Sequence, residues 1–591
     1  NRSANLPDLP SQNFKLSDPL SVQRGYNMLV TVKPDDPNTV FIGGTNLYRS
    51  TDGFRSNNNT AWINGYHQVM PLDAGQYPNG HPDQHVLVFN PSNSSEAICG
   101  DDGGIRRTTN IMAGSGSFPV HPVSWSPLPN YQTVQYYYVA IDPTEGRNNF
   151  VGGAQDNGVL FRDKSAILPG TSPGDSNNHK ILLSADGASV GISSIVNGAQ
   201  YVYESIQYGR LDRHRISPTV QRTEITPAGL TTNTADEAGQ FGEFVTNFSV
   251  HADNPEDLYY VNFNRLFRTT SASTVTSNSG WTELTGVSRA VNPANPTSGR
   301  DTAIRALGFP RGPYTTTQVL YIGTTRGKIF RLDDPRNVAS STTPIDITPA
   351  GLSGNVQDIA VNPNNENEVL AVVSNYSVVS IWWTNNGKAA QPTWRNAEGN
   401  LTLPSIRSCV IVVKKDAANN PVTEYYVGTS IGLYSTTDLS TTLSGGGSPT
   451  WQREGGNVLN YAVIQDMAYR PTDNVLLLGT HGNGMYYTFL GTPNFTPNGV
   501  TGDTVVNDKN FIKAVYPTIS NNSVQYTIGN IFTIKKMSVQ VANLLGQIVS
   551  SKETGYQSGE VNITNLATGH YFLIITSDDR KYRHIQRFIK K

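Results

Sequence analysis

Residues 30–53 read Val30-Thr31-Val32-Lys33-Pro34-Asp35-Asp36-Pro37, then Thr39-Val40-Phe41-Ile42-Gly43-Gly44, then Leu47-Tyr48-Arg49-Ser50-Thr51-Asp52-Gly53. An alternating apolar run, a Pro/Asp turn, a second apolar run ending in glycine and an aromatic-bearing third run describe a small antiparallel sheet. The same order returns at Val86-Leu87-Val88-Phe89-Asn90-Pro91 with Ala97-Ile98-Cys99-Gly100, and at Val139-Ala140-Ile141-Asp142-Pro143 with Phe150-Val151-Gly152-Gly153. Later copies begin near Ile192, Ser249, Ala306, Ile359, Cys409 and Met467, so nine units recur at a spacing of about 54 residues. Repetition at that period suits the blades of a β-propeller. The fold class read from the chain is all-β, with four-stranded blades over 1–490, a linker at 491–512 and a small Ig-like β-sandwich over 513–591.

Tryptophan placement checks the repeat independently. Trp62, Trp125, Trp281, Trp394 and Trp451 are separated by 63, 156, 113 and 57 residues, close to one, three, two and one units. A large ring near the outer turn would fill the wedge between neighbouring blades, and this reading is preferred over ligand stacking. Nine units exceed the eight blades of the commonest propellers. Either the ring is unusually large, or one ring closes and surplus blades call for a preceding fragment of the same precursor.

Composition narrows the function classes. In 591 residues, 44 are Lys or Arg and 46 Asp or Glu, which gives no electrostatic drive toward nucleic acid or anionic membrane. No apolar stretch reaches the length of a membrane helix. Cys99 and Cys409 stand 310 positions apart and fit neither a metal spacing nor a disulfide framework, so both read as buried thiols. No P-loop, hydrolase elbow or dinucleotide fingerprint is present, and no cofactor is expected.

Several stretches resemble known families. Ser50-Thr51-Asp52-Gly53 followed by Trp62 resembles a stretched Asp-box of the sialidase-type (BNR) repeat, with decayed copies before Trp394 and Trp451. Gly323-Thr324-Thr325-Arg326-Gly327 and Gly479-Thr480-His481-Gly482-Asn483-Gly484 are similar to the endings of units in sortilin-like and family 74 glycoside hydrolase propellers. The resemblance spans about residues 26–490 and implies fold rather than chemistry, because an Asp-box carboxylate caps turn N–H groups. Sialidase activity would need an arginine triad and an FRIP-like motif, which the first units lack.

The last 79 residues resemble the type A C-terminal sorting domain of the type IX secretion system of the Bacteroidota. The matching residues are Tyr516-Pro517, Val539-Gln540-Val541-Ala542-Asn543-Leu544-Leu545-Gly546-Gln547, Leu566-Ala567-Thr568-Gly569-His570-Tyr571-Phe572 and Gln586-Arg587-Phe588-Ile589-Lys590-Lys591; Thr518-Ile519 departs from the usual Asn-Pro. The resemblance implies export across the outer membrane to the surface or exterior, with the translocon and its shuttle barrel as partners. Six basic residues and no acidic one between Arg580 and Lys591 would complement an acidic receptor surface or guard a strand edge. Thr302 and Thr504 stand in short Asp-Thr-Ala and Asp-Thr-Val contexts that match the O-glycosylation sequon of that phylum.

Two polar constellations carry possible chemistry. His81, Asp83 and His85 would share one face of a strand and could ligate a metal, although without a third histidine they read better as groups satisfying loop backbone. Asp102, in Asp101-Asp102-Gly103-Gly104, and Asp156, in Gln155-Asp156-Asn157-Gly158, are the catalytic candidates; the first partly matches an Asp-Ile-Gly-Gly context of family 74 hydrolases. Asp-Gly is also the commonest hairpin turn, and the turn reading is preferred. The function expected is an exported cell-surface propeller that binds polysaccharide or protein. An endo-acting glycoside hydrolase is the alternative, and it would require two carboxylates flanking one sugar bond.

Overall fold

A computed structural model describes residues 1–7, 20–66, 76–114, 120–128, 133–163, 179–217, 220–228, 230, 242–297, 300–437, 439–496, 512–528, 536–543, 547–554, 558–577 and 583–591. The chain divides into two compact units, one of residues 1–310 and 316–494 and the other of residues 311–315 and 495–591. Most of the linker expected at 491–512 lies outside the described residues. No helix among the described residues is long and apolar enough to cross a membrane.

Among the described residues the larger unit contains nine antiparallel sheets, eight of four strands and the last of three. Their first strands are Leu29–Lys33, Gln84–Asn90, Tyr136–Ile141, Gly187–Ile192, Phe248–Val250, Ile304–Gly308, Val356–Asn362, Ile406–Lys415 and Ile464–Arg470, and we number the sheets one to nine in that order. Each first strand contains the residue at which a sequence unit begins. Within a sheet the strands follow chain order, each pairing with the next, as a meander of apolar runs and short turns dictates.

The sheets do not all belong to one ring. Sheet three packs on sheet four through Val151, Val159, Phe161, Ile192 and Val202, and the pattern continues face to face up to sheet nine. Sheet nine then returns to sheet three: Val475 and Leu477 share a core with Tyr136, Val139, Ile141 and Phe150. Polar contacts seal that seam. Asp466 accepts the Val139 N–H at 2.8 Å, and the fully buried Arg470 donates to the Asp142 carbonyl at 2.7 Å, the Arg147 carbonyl and Asn148 Oδ1. Seven sheets thus close a ring over residues 136–489. Sheets one and two form a separate pair around Phe41, Tyr48, Trp62, Leu87 and Trp125.

The tryptophans do what their spacing suggested. Trp125, Trp281, Trp394 and Trp451 each directly precede a two-residue fourth strand, and each indole N–H donates to a carbonyl of the preceding sheet, at Ile63, Ile225, Ile347 and Ala397. Asp52 accepts the backbone N–H groups of Arg55 and Ser56, so it is a turn-capping carboxylate. Cys99 and Cys409 are both buried and free.

The smaller unit is a β-sandwich. One sheet orders Ile512–Tyr516, Ser523–Ile528 and Ser558–Asn562; the other orders Ile519–Ser520, Arg583–Lys590, Gly569–Ser577, Met537–Asn543 and Ile548–Thr554. Val524, Tyr526 and Ile528 meet Met537, Val539, Val541, Leu573, Ile575 and Phe588 between the layers. The strict alternation of Met537, Val539 and Val541 with Ser538 and Gln540 is what buries one face. The edge pieces Ile512–Tyr516 and Ile519–Ser520 were not expected from the sequence, the latter because two residues paired in parallel leave no period to detect.

Candidate functional site

Three turns, two from sheet two and one from sheet three, converge at one place in the larger unit. Asp102 and Gly103 are the two loop residues of the hairpin whose Asp101 pairs with Gly104. Gln155-Asp156-Asn157 closes the hairpin whose Ala154 pairs with Gly158, and Asp156 adopts a left-handed backbone at φ +59°. Asp83 immediately precedes the first strand of sheet two at φ +64°. Aspartate tolerates that conformation better than most side chains. The hairpin reading of Asp102 and Asp156 therefore holds, and the same turns aim both carboxylates into one crevice. Carboxylate oxygens of Asp83, Asp102 and Asp156 lie within 4.8 Å of one another.

The surroundings are polar and partly shielded. Asn27 and Gln23 donate to Asp83 Oδ1 at 2.5 and 2.9 Å. Tyr26 donates its hydroxyl to Asp102 at 3.1 Å, and His85 Nε2 lies 2.5 Å from Asp102 Oδ1. His85 reaches Asp102 because sheet two has a bulge there: Gln84 pairs with Asp101 and Val86 with Gly100, leaving His85 unpaired. The Tyr26 ring, 57% exposed, stands edge-on to His85 with centroids 5.1 Å apart. Behind Asp156, Asp186 accepts its N–H at 2.9 Å, and Asn157 donates to the Asp102 carbonyl at 3.0 Å, tying sheet two to the ring.

Crowding of like charges sets the electrostatics. Burial, then repulsion from Asp102 and Asp186, pushes Asp83 up to about 7. Asp156 is held well above the usual carboxylate range by burial and by Asp186 and Asp102. Tyr66 is pushed up to about 12 by burial and the same carboxylates, and the Tyr26 hydroxyl is also raised. Asp101 lies outside the cluster, paired with the buried Arg106, yet burial outweighs that partner and raises it to about 7. Such a set can hold a proton between oxygens at neutral pH, or coordinate a hard cation such as Ca²⁺ through oxygen ligands.

The expected grouping of His81, Asp83 and His85 on one strand face is corrected. The strand begins at Gln84, so 81–83 is loop. His81 turns its ring nitrogens to the carbonyls of Pro82 and Asp156, at 3.2 and 3.1 Å, and burial keeps its pKa low. It supports the Asp156 turn instead of joining a histidine pair. Gly103 permits this, since a Cβ there would stand 2.6 Å from the His81 ring. Sequence reasoning missed Tyr26, Asn27 and Asp186, which sit in unremarkable local contexts.

In the smaller unit, Tyr571 stacks on Phe588 with centroids 5.7 Å apart, and its hydroxyl donates to the Ala567 carbonyl. Gly569 opens that strand, opposite Lys590. Tyr516 and Pro517 are exposed, Lys590 is buried and Lys591 exposed, while Leu545, Gly546 and Thr504 lie outside the described residues. Thr302 is buried, so the folded chain does not present its hydroxyl for glycan attachment. Residues 514–591 match the secretion system C-terminal sorting domain. The match supports export of the chain by type IX secretion. The sorting domain directs it across the outer membrane to the cell surface or extracellular space and implies interaction with the secretion machinery. No curated protein matches the chain.

Proposed function

We propose that this exported protein works on polysaccharide outside the cell, and that Asp156 and Asp102 form the general acid and the nucleophile of a glycoside hydrolase. The observation that carries this reading is the convergence of two turn aspartates from different sheets, one of them kept protonated by its surroundings. Asp156 would protonate the leaving glycosidic oxygen. Asp102, on the accepting side of Tyr26 and His85, would attack the anomeric carbon, and water would then hydrolyse the glycosyl ester. Oxygens no more than 4.8 Å apart favour this direct route. An inverting enzyme leaves about 6.5–9.5 Å between its carboxyls for a water molecule. The exposed Tyr26 ring offers a face for a sugar.

The third carboxylate, Asp83, favours a second reading, in which the cluster holds a divalent cation and the propeller binds polysaccharide or protein without cleaving it. One experiment separates the two: reducing-end release from a panel of plant and bacterial polysaccharides by the full chain, with and without EDTA. The hydrolase reading expects EDTA-insensitive cleavage that falls at least about a thousandfold in Asp102→Asn and Asp156→Asn. No cleavage of any polymer, together with calcium-dependent retention on one, would replace it by the binding reading. The shuttle barrel, an N-terminal fragment of the same precursor and a glycan are the partners proposed alongside the translocon. Removal of residues 513–591 is expected to leave the larger unit folded in the periplasm, which fractionation of cells expressing the shortened chain would test.

A further inference from the structure

The bulge that aims His85 recurs around the ring. Gly153 pairs with Tyr138 and Ala154 with Tyr136, which leaves Tyr137 unpaired. The same skip leaves out Arg305 in sheet six, Gln357 in sheet seven, Arg407 in sheet eight and Gln465 in sheet nine. A bulge re-aims the side chain it carries, and all five of these residues line one cavity of about 260 Å³, together with first-strand residues of the other sheets of the ring. The sheets thus present a collar of long polar side chains at the ring axis. At its edge Tyr137 donates its hydroxyl to Gln155 on the Asp156 turn, whereas the arginine and glutamine positions have no hydrogen bond to the three clustered carboxylates among the described residues.

The collar is not self-satisfied. Arg305 is paired with Glu243 at 2.8 Å. Asp358 and Asp466, deeper in the wall, accept the N–H groups of Cys409 and Val139. Arg407 has no acidic partner among the described residues: one Nη donates to Gln465 Oε1 at 2.8 Å, and its guanidinium lines the cavity. A guanidinium that lines a cavity without a carboxylate partner is placed to receive an oxyanion through its Nη–H groups. The volume is below the roughly 300–1,000 Å³ of pockets for drug-sized ligands, so the part of a ligand held inside is about one sugar residue.

We propose that the axial cavity of the seven-sheet ring binds a small hydroxylated oxyanion, the carboxylate of a sugar acid or a sugar phosphate, with Arg407 as its anchor and the neighbouring amides as hydroxyl partners. Titration calorimetry of the full chain with galacturonate, glucose 6-phosphate and glucose tests this. Binding of one or both anions, with neutral glucose at least about tenfold weaker, is expected, and the stronger anion names the source. Arg407→Gln should weaken binding by about tenfold or more, Arg407→Lys by less, and Asp102→Asn not at all. Thermal melts of the free variants verify that they are folded. Absence of binding by both anions at millimolar concentration, equal affinity for glucose, or an Arg407→Gln chain that binds like the parent would overturn the proposal. So would loss of anion binding in a folded Asp102→Asn chain, since it would place the ligand at the carboxylate cluster.

Discussion

The ring and the pair of sheets before it are made from the same repeat, yet they bury it differently. In sheet three, Val139 and Ile141 are 5% and 9% exposed because sheet nine covers them. In sheets one and two the residues at the matching register, Leu29 and Leu87, are buried as well, but the opposite face of the same strands is open: Val30, Val32, Val86 and Val88 are 69%, 47%, 45% and 55% exposed. The alternation that marks a strand is identical in both places. Burial is therefore decided by which sheet arrives next, a long-range property that a 54-residue unit does not encode. The bulge shows the same divergence: in the pair it delivers His85 to a carboxylate, and in the ring it delivers Arg407 to an axial cavity.

The seam between sheets three and nine is where the comparison breaks most sharply. Arg470 is buried against three acceptors of sheet three and also pairs with Asp473. Arg470→Ala removes the donor from all of them at once and leaves Asp473 without its cation, so a loss of about 3–5 kcal/mol is expected. Denaturant unfolding followed by tryptophan fluorescence measures it. An unchanged midpoint would mean that the seam does not hold the ring. Next in size is Trp451→Phe, which keeps most of the apolar area and deletes the donor to the Ala397 carbonyl; about 1–3 kcal/mol should be lost, and Trp125→Phe in the pair should lose a similar amount. Unequal losses would show that the tryptophan staple depends on ring closure.

A smaller effect is expected at the junction of the two regions and depends on pH. The folded state raises the pKa of Asp156, so its protonated form contributes stability at acid pH, and that contribution is lost as pH rises from about 4 through the folded value. Asp156→Asn should match the parent near pH 4 and melt higher than it at pH 8.5, by about 2 °C or more. Millimolar calcium should leave that gap intact under the hydrolase reading. It should close or reverse the gap under the cation reading, because a bound ion replaces the proton as the counter-charge. Differential scanning fluorimetry across pH 4–9, with and without calcium, reads both.

What the sequence made legible follows from range. Runs such as Val139–Ile141 and turns such as Asp102-Gly103 are local, so strands, hairpins and the repeat could be read directly. The tryptophan spacing gave the inter-sheet staple because periodicity is itself a long-range signal. The ordered Tyr516-to-Lys591 motifs gave the sorting domain. The convergence of Asp83, Asp102 and Asp156 was out of reach, because Asp156 stands on a turn of another unit and each looks like an ordinary turn aspartate. Arg470 was equally silent, since its partners lie more than three hundred positions away. A search for polar residues at the start of every first strand would have found the bulge positions Arg305, Gln357, Arg407 and Gln465.

The smallest effect expected is the most informative about the repeat itself. Val30→Thr changes a methyl for a hydroxyl on a side chain that is already mostly in water, so its cost should stay within about 0.5 kcal/mol. Val139→Thr makes the same exchange on a covered face of a first strand in the ring. There, burial removes the hydroxyl from water, so a loss of about 1–3 kcal/mol is expected unless it finds a partner. Both substitutions preserve β-branching, so strand propensity cancels between them and the difference isolates coverage by the neighbouring sheet. If Val30→Thr instead costs as much as Val139→Thr in the purified chain, the face of the pair is covered in solution, and analytical ultracentrifugation would then show whether a second copy covers it.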